Sequence, residues 1–179
     1  MKKLFKITQI IIVLFFFGIF FSCEEEKEIS SYHPNHWEDH YIDGETAGQK
    51  SDSLQKGTTY LSIYSHIYSF SLEKSHNLTA MVSLRNVSQT DTIYISKADY
   101  YGTQGQLIRN YFKKPIYLKP LETVEIVIDE TDKHGGSGAN FIFKWITKTT
   151  TPEPLFEAIM TSLRGSQGLS FTTQGRRIE

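Results

Sequence analysis

Three histidines stand at His33, His36 and His40 with Glu38 and Asp39 between them. Imidazole and carboxylate together hold zinc or copper when they converge on one side of a site. A helix would place His36 and His40 on one face, but Pro34 interrupts the stretch and no aliphatic stripe would hold such a helix against a core. The stretch reads as part of a solvated tether, and no metal or other cofactor is expected. In a second cluster, Asp129-Glu-Thr-Asp-Lys-His-Gly135, the residues Glu130, Asp132, His134 and Gly135 follow the odd-position rhythm of a calcium loop. Such a loop needs a bidentate carboxylate at its twelfth position, which counted from Glu130 is Phe141. Asp132, His134 and Ser137 are the residue types of an acyl-transfer triad, but neighbours on one short turn are not expected to reach one another in the required order. The sequence has neither the G-x-S-x-G elbow nor the H-E-x-x-H motif. No catalysis is expected; a hydrolase built on His66 or on the His134 to Asn140 turn is the rival reading.

Two further segments suit binding better than chemistry. Gly135-Gly-Ser-Gly-Ala-Asn140 could form a nest of backbone N–H groups for an anion, which makes Ser137 and Asn140 candidate ligand contacts. It lacks the Gly-Lys-Ser/Thr of a phosphate loop, so a glycine-shaped turn capped by Asn140 is the main expectation. Along residues 60–70, Leu61, Ile63 and Ile67 are core-like, whereas Tyr60, Ser62, Tyr64, His66, Tyr68 and Phe70 would share the opposite face of one strand. Tyr64, His66 and Tyr68 then make a candidate platform for a glycan or an envelope protein. The competing expectation is that Trp37 and Tyr41, or a neighbouring strand, cover that face.

The position of the cysteine decides where these residues act. Lys2, Lys3 and Lys6 precede an unbroken apolar run from Ile10 to Phe21, the form of a secretory leader. Twelve apolar residues are too few for a hydrocarbon core that needs about 20. The run stops at Ser22-Cys23, and FFSC resembles a bacterial lipobox, although Phe20 and Phe21 depart from its usual Leu and small residue. Lipidation of Cys23 and cleavage before it are therefore expected, with the membrane engaged through the N-terminal lipid. Removing 22 residues from 179 leaves 157, enough for a core without a disulfide. The acid-rich start Glu24, Glu25, Glu26 and Glu28 resembles the export signal of some Bacteroidetes lipoproteins, so an outer-membrane lipoprotein facing the periplasm or the cell surface is expected. Asp52-Ser53-Leu and Asp91-Thr92-Ile match a short O-glycosylation motif at Ser53 and Thr92.

The whole chain has 19 basic and 20 acidic residues, which offers no basic footprint for nucleic acid. At 39% hydrophobic and 13% aromatic it is neither a disordered chain nor a polytopic membrane protein. Residues 1–22 read as leader and 23–56 as an acidic tether, in which Tyr32, Trp37, Tyr41 and Ile42 could dock. Residues 57–179 read as one β domain. Leu78, Ala80, Val82 and Leu84 alternate with polar residues; Ile93 to Tyr101 and Leu107 to Phe112 make a hairpin about Gly102-Thr-Gln-Gly105. Val124, Ile126 and Ile128 form one inward face, and Phe141, Phe143 and Trp145 another. Leu155 to Leu163 fits both helix and strand, with strand favoured, and Gly165 to Gly168 turns the chain into Leu169 to Thr173. The expected fold is all-β, an immunoglobulin-like β-sandwich of about seven to nine strands.

Five blocks, TTYLSIYSHIYS, LTAMVSLRN, ADYYGTQGQLIRNY, GGSGANFIFKW and GLSFTTQGRRI, resemble in this order the bacterial domain of unknown function 3124 family over residues 57–179. Gly102 departs from the polar turn residue expected there. The resemblance implies a secreted or lipid-anchored β domain and brings no catalytic residues. The function expected is a lipid-anchored extracytoplasmic binding or accessory module, with glycan binding on the aromatic face as the nearest rival.

Overall fold

The computed structural model of the chain describes residues 37–42, 53–164 and 166–179. The described residues form an all-β sandwich. Twelve strands are present among them: β1 (Leu54–Ile63), β2 (His66–Ser69), β3 (Ser71–Asn77), β4 (Thr79–Arg85), β5 (Ile93–Tyr101), β6 (Leu107–Asn110), β7 (Ile116–Leu118), β8 (Thr123–Ile128), β9 (Ala139–Lys148), β10 (Leu155–Arg164), β11 (Gln167–Gln174) and β12 (Arg176–Arg177). One sheet runs β12-β1-β9-β5-β6 with β7 also on β5, the second runs β11-β10-β4-β8, and β2-β3 stands as a separate ribbon. The excess over seven to nine strands comes from the short β7 and β12 and from the β2–β3 ribbon.

Period-two alternation explains the layers. Ala80, Val82 and Leu84 of β4, Val124, Ile126 and Ile128 of β8, and Phe141, Phe143 and Trp145 of β9 are all buried. The ambiguous 155–163 stretch is a strand because Phe156, Ala158 and Met160 alternate inward while Ala158 pairs with Val82. Phe143 stacks on Phe156 across the two sheets at 4.3 Å and on Phe141 at 5.2 Å, and Tyr100 adds to the column at 5.0 Å from Phe141. Such offset ring pairs add to the burial of apolar area.

Two expectations need correction. Residues 60–70 are not one strand: β1 ends at Ile63, and Ser65 is fully buried as a clasp, its N–H donating to Gly136 O and its carbonyl accepting from Leu78 N. The 23–56 tether is also too long. Trp37 is 1% exposed, edge-on to Tyr111 at 6.0 Å and Phe112 at 5.4 Å, and Tyr41 bridges Ile116. A single Trp with a prepared apolar seat outweighs the polar composition around it. Leu54 to Lys56 further belong to β1, paired with Lys148 to Ile146.

Candidate functional site

The loops of one end of the sandwich converge where β1, β5 and β8 finish and β4 and β9 begin. The loop from Asp129 to Gly138 is its centre. Asp132 is fully buried, with Oδ2 accepting from Arg109 at 3.0 Å and Oδ1 accepting from the His134 backbone N–H at 3.2 Å. His134 Nδ1 lies 2.8 Å from the same Oδ1, so a proton on Nδ1 makes the ring a second donor. Burial opposes ionisation of Asp132, but hydrogen bonds from His134 and Arg109 outweigh it and hold the carboxyl below its usual range. Arg109 also donates to the Tyr111 hydroxyl at 2.7 Å. Beside them, Tyr100 and Ser65 share a 2.9 Å hydrogen bond, and burial pushes the Tyr100 phenol above its ordinary range.

The glycine-rich turn is shaped by its neighbours. Gly136 adopts φ 77°, which suits a residue without Cβ. A Cβ on Gly135 would overlap the Tyr100 hydroxyl. Thr103 stitches the turn to the β5–β6 hairpin, its N–H and hydroxyl both reaching Gly135 O while its Oγ1 accepts from Gly138 N at 2.9 Å. The N–H groups of Gly136 and Gly138 are thus directed to Lys133 O and Thr103, away from the anion nest considered above. Ser137 sits in the 3-10 turn Gly136–Gly138, and Ala139 follows that turn. Asn140, expected as the cap, is the second residue of β9, paired with Ser62 and Tyr101.

The Asp132–His134 pair is the one contact that spacing argued against. It supplies the orienting half of an acyl-transfer arrangement, but Arg109 shares and neutralises the carboxylate that would stabilise an imidazolium. A buried carboxylate with a guanidinium and a backbone N–H on it is a staple between β6 and the loop. A second buried acid, Asp99, lies on the face of β5 opposite the core, where it accepts from Asn110 Nδ2 at 2.7 Å and pairs with Lys97, and that bond raises the Lys97 ammonium pKa. Arg109, Asp99 and Asn110 were not singled out from sequence. Period-two alternation puts Asp99 on the face opposite Ala98 and Tyr100, so its burial left no local signal.

The aromatic platform is divided. Tyr64 packs edge-on to Phe171 at 5.7 Å, against the core. His66 and Tyr68 lie on β2 with rings 5.7 Å apart, and Tyr68 is 53% exposed. Trp37 and Tyr41 seat themselves elsewhere. His40 is tied to Glu122 at 2.9 Å and tilts on Tyr117; Cys23, His33 and His36 lie outside the described residues. Among the described residues no three His, Cys, Asp or Glu side chains are grouped to hold a metal. Ser53 is exposed ahead of β1, while Thr92 is half-buried beside Asp91, which pairs with Lys148 and accepts from Thr151 at 3.1 Å.

Three bare apolar side chains stand out at this end, among exposed polar neighbours such as Ser71, Glu73 and Lys74. The β2–β3 ribbon carries Phe70 at 99% exposure and Leu72 at 84%, and beside the β10–β11 turn Leu163 is 83% exposed. His76 of β3 and Ser162, Gln167, Gly168 and Leu169 line a cleft of about 280 Å³ between the two hairpins.

The family model described as "Protein of unknown function (DUF3124)" matches residues 56–178. No curated protein matches the chain. Among solved structures, a crystal structure of Thermotoga maritima 1070 is similar at 8% identity with a TM-score of 0.44, covering 67% of this chain and 92% of that one.

Proposed function

Since this chain belongs to the DUF3124 family, whose description assigns no activity, we propose that it is a lipid-anchored, extracytoplasmic binding or accessory module that performs no catalysis. Residues 1–22 are the leader, Cys23 bears the lipid, the residues up to Trp37 are the tether, and the sandwich is presented on the outer membrane, towards the periplasm or the cell surface. The resemblance to Bacteroidetes lipoproteins supports this placement. The carrying observation for a binding role is the contrast at one end of the sandwich: the polar cluster is tied up internally by Arg109, His134 and Thr103, whereas Tyr68, Phe70, Leu72 and Leu163 stand in solvent. Exposed apolar side chains gathered at one end mark an interaction surface.

A second reading, glycan binding, is favoured by Tyr68, whose half-exposed ring beside His66 offers a face for a sugar. In the chain with Cys23→Ala, lipid labelling and membrane fractionation are both expected to be lost. Retention on the membrane with the leader intact would make the apolar run an uncleaved anchor and refute the lipoprotein reading. Retention on immobilised envelope glycan that Tyr68→Ala abolishes would favour the second reading.

A further inference from the structure

Both hairpins leave the sandwich at the same end. The ribbon departs after Ser65 and returns at Leu78, and the adjoining Thr79 pairs with Thr161 of β10, so the hairpin roots are neighbours. At the tip of the ribbon Phe70 adopts φ 67°, a left-handed conformation that is costly for an aromatic residue and cheap for Gly or Asn. Its side chain is 99% exposed, so packing within the fold does not offset that cost; Leu121, at φ 61° and 66% exposed in the β7–β8 loop, shares the conformation, so the strain alone does not mark a site.

We propose that Phe70, Leu72 and Leu163 form a lipid-binding tip that enters the headgroup and acyl boundary of the phospholipid bilayer holding the anchor. The proposal rests on the anchored reading above and names what the projecting end meets. Three features favour a bilayer over a folded protein. First, the three side chains stand on two separate convex tips, Phe70 and Leu72 on the ribbon and Leu163 beside the β10–β11 turn, and a fluid boundary needs no complementary shape to receive them. Second, across residues 66–77 and 162–169 the formal charges are Glu73, Lys74 and Arg164, a balance that does not oppose a zwitterionic or anionic surface.

Third, the tether confines the domain. The segment 24–36 spans at most about 45 Å when extended. It joins the domain at Trp37, and from there the chain runs to His40, tied to Glu122 in the β7–β8 loop at the opposite end, and to Tyr41 on Ile116, so it is the length of the segment, against roughly 33 Å for the ten residues of β9, that lets the tips reach the same bilayer. Confinement raises the effective concentration of the tips at the surface, so a contact too weak to hold a free protein suffices for a tethered one.

The test uses the full-length protein purified from membranes and reconstituted in vesicles of phosphatidylethanolamine and phosphatidylglycerol, with or without brominated acyl chains. Trp37 and Trp145 are each 1% exposed, so an added surface indole dominates the response to quencher. Phe70→Trp is expected to show blue-shifted emission and at least twofold quenching. Leu121→Trp, at a 66% exposed site in the β7–β8 loop at the opposite end, is expected to show neither. Adding Leu72→Ser and Leu163→Ser to Phe70→Trp should remove most of the quenching.

Flotation of the same samples reports the anchor separately. Protein that floats with vesicles while Phe70→Trp stays unquenched overturns the tip and leaves the anchor standing; equal quenching at Leu121→Trp also overturns it. Protein that does not float, yet is quenched at high lipid, refutes the anchor and supports the tip. Neither flotation nor quenching refutes both. Capture of the unquenched tips by a second copy, read as a dimer, would assign the surface to self-association.

Discussion

Arg109 and Asp132 meet at 3.0 Å, the acid fully buried and the guanidinium nearly so, and their contact closes the β8–β9 loop over the end of β6. It separates two functions at one end of the molecule. Polar groups beneath the loop are spent on holding it in place, and the apolar tips beside it are left to meet something else.

Breaking that contact should be costly. Arg109→Met leaves the Asp132 carboxylate buried without its cation, and removing one partner of a buried pair costs about 3–5 kcal/mol. A denaturant midpoint unchanged from the parent would show that water replaces the guanidinium.

The same pair predicts a pH dependence. Asp132 has a lowered pKa in the folded protein, so its contribution is fully present above about pH 4, the ordinary unfolded value, and is lost as pH falls through the lower folded value. Unfolding curves of the parent and Asp132→Asn are therefore expected to differ most near neutrality and to converge in acid. A constant difference from pH 7 to pH 3 would contradict the assignment.

Trp37 carries the upstream segment. Trp37→Ala should cost about 3–5 kcal/mol, as for other buried aromatics, although it lies outside the family match. A domain starting at residue 57 should correspondingly melt broadly or at lower temperature. Equal, cooperative melts would show that the segment merely rests on the surface.

How much of this was readable in advance follows from the kind of signal each residue leaves. Alternation placed Val82, Ile126 and Phe143 inward because a half-buried strand repeats every two residues, whereas the Leu155 stretch fits helical spacing as well and only its pairing with β4 decides it. The break at Ser65 was not legible, since it depends on Gly136 and Leu78, far away in the chain, both bonding to one small residue. Trp37 was legible as a residue able to dock, but its polar neighbours gave no sign of the seat made by Tyr111 and Phe112. The Asp132–Arg109 pair was hidden because partners 23 residues apart in different elements leave no local spacing.

Gly57 and Trp145 offer a test of packing at the opposite end. They are paired across β1 and β9, and a Cβ on Gly57 would overlap the indole, whose Nε1 donates to Thr59 Oγ1 at 3.0 Å. Gly57→Ala should lower stability by about 1–3 kcal/mol through overpacking. In a Trp145→Phe background the added loss should shrink, because the smaller ring leaves room. Strict additivity would place the strain elsewhere.

The two tyrosines should separate. Tyr64→Ala removes a ring packed on Phe171 and is expected to lower the melting temperature by several degrees, whereas Tyr68→Ala should leave it nearly unchanged and weaken whatever contact the ribbon makes. Equal melting shifts would mean that Tyr68 is covered in solution.

The central claim, an anchored module, is tested most directly by the intact mass of the protein extracted from the membrane of cells that make the full chain. The account predicts a chain beginning at Cys23 with the added mass of a diacylglyceryl group, with or without a third acyl chain. An unmodified cysteine, or a chain that still carries residues 1–22, would contradict it.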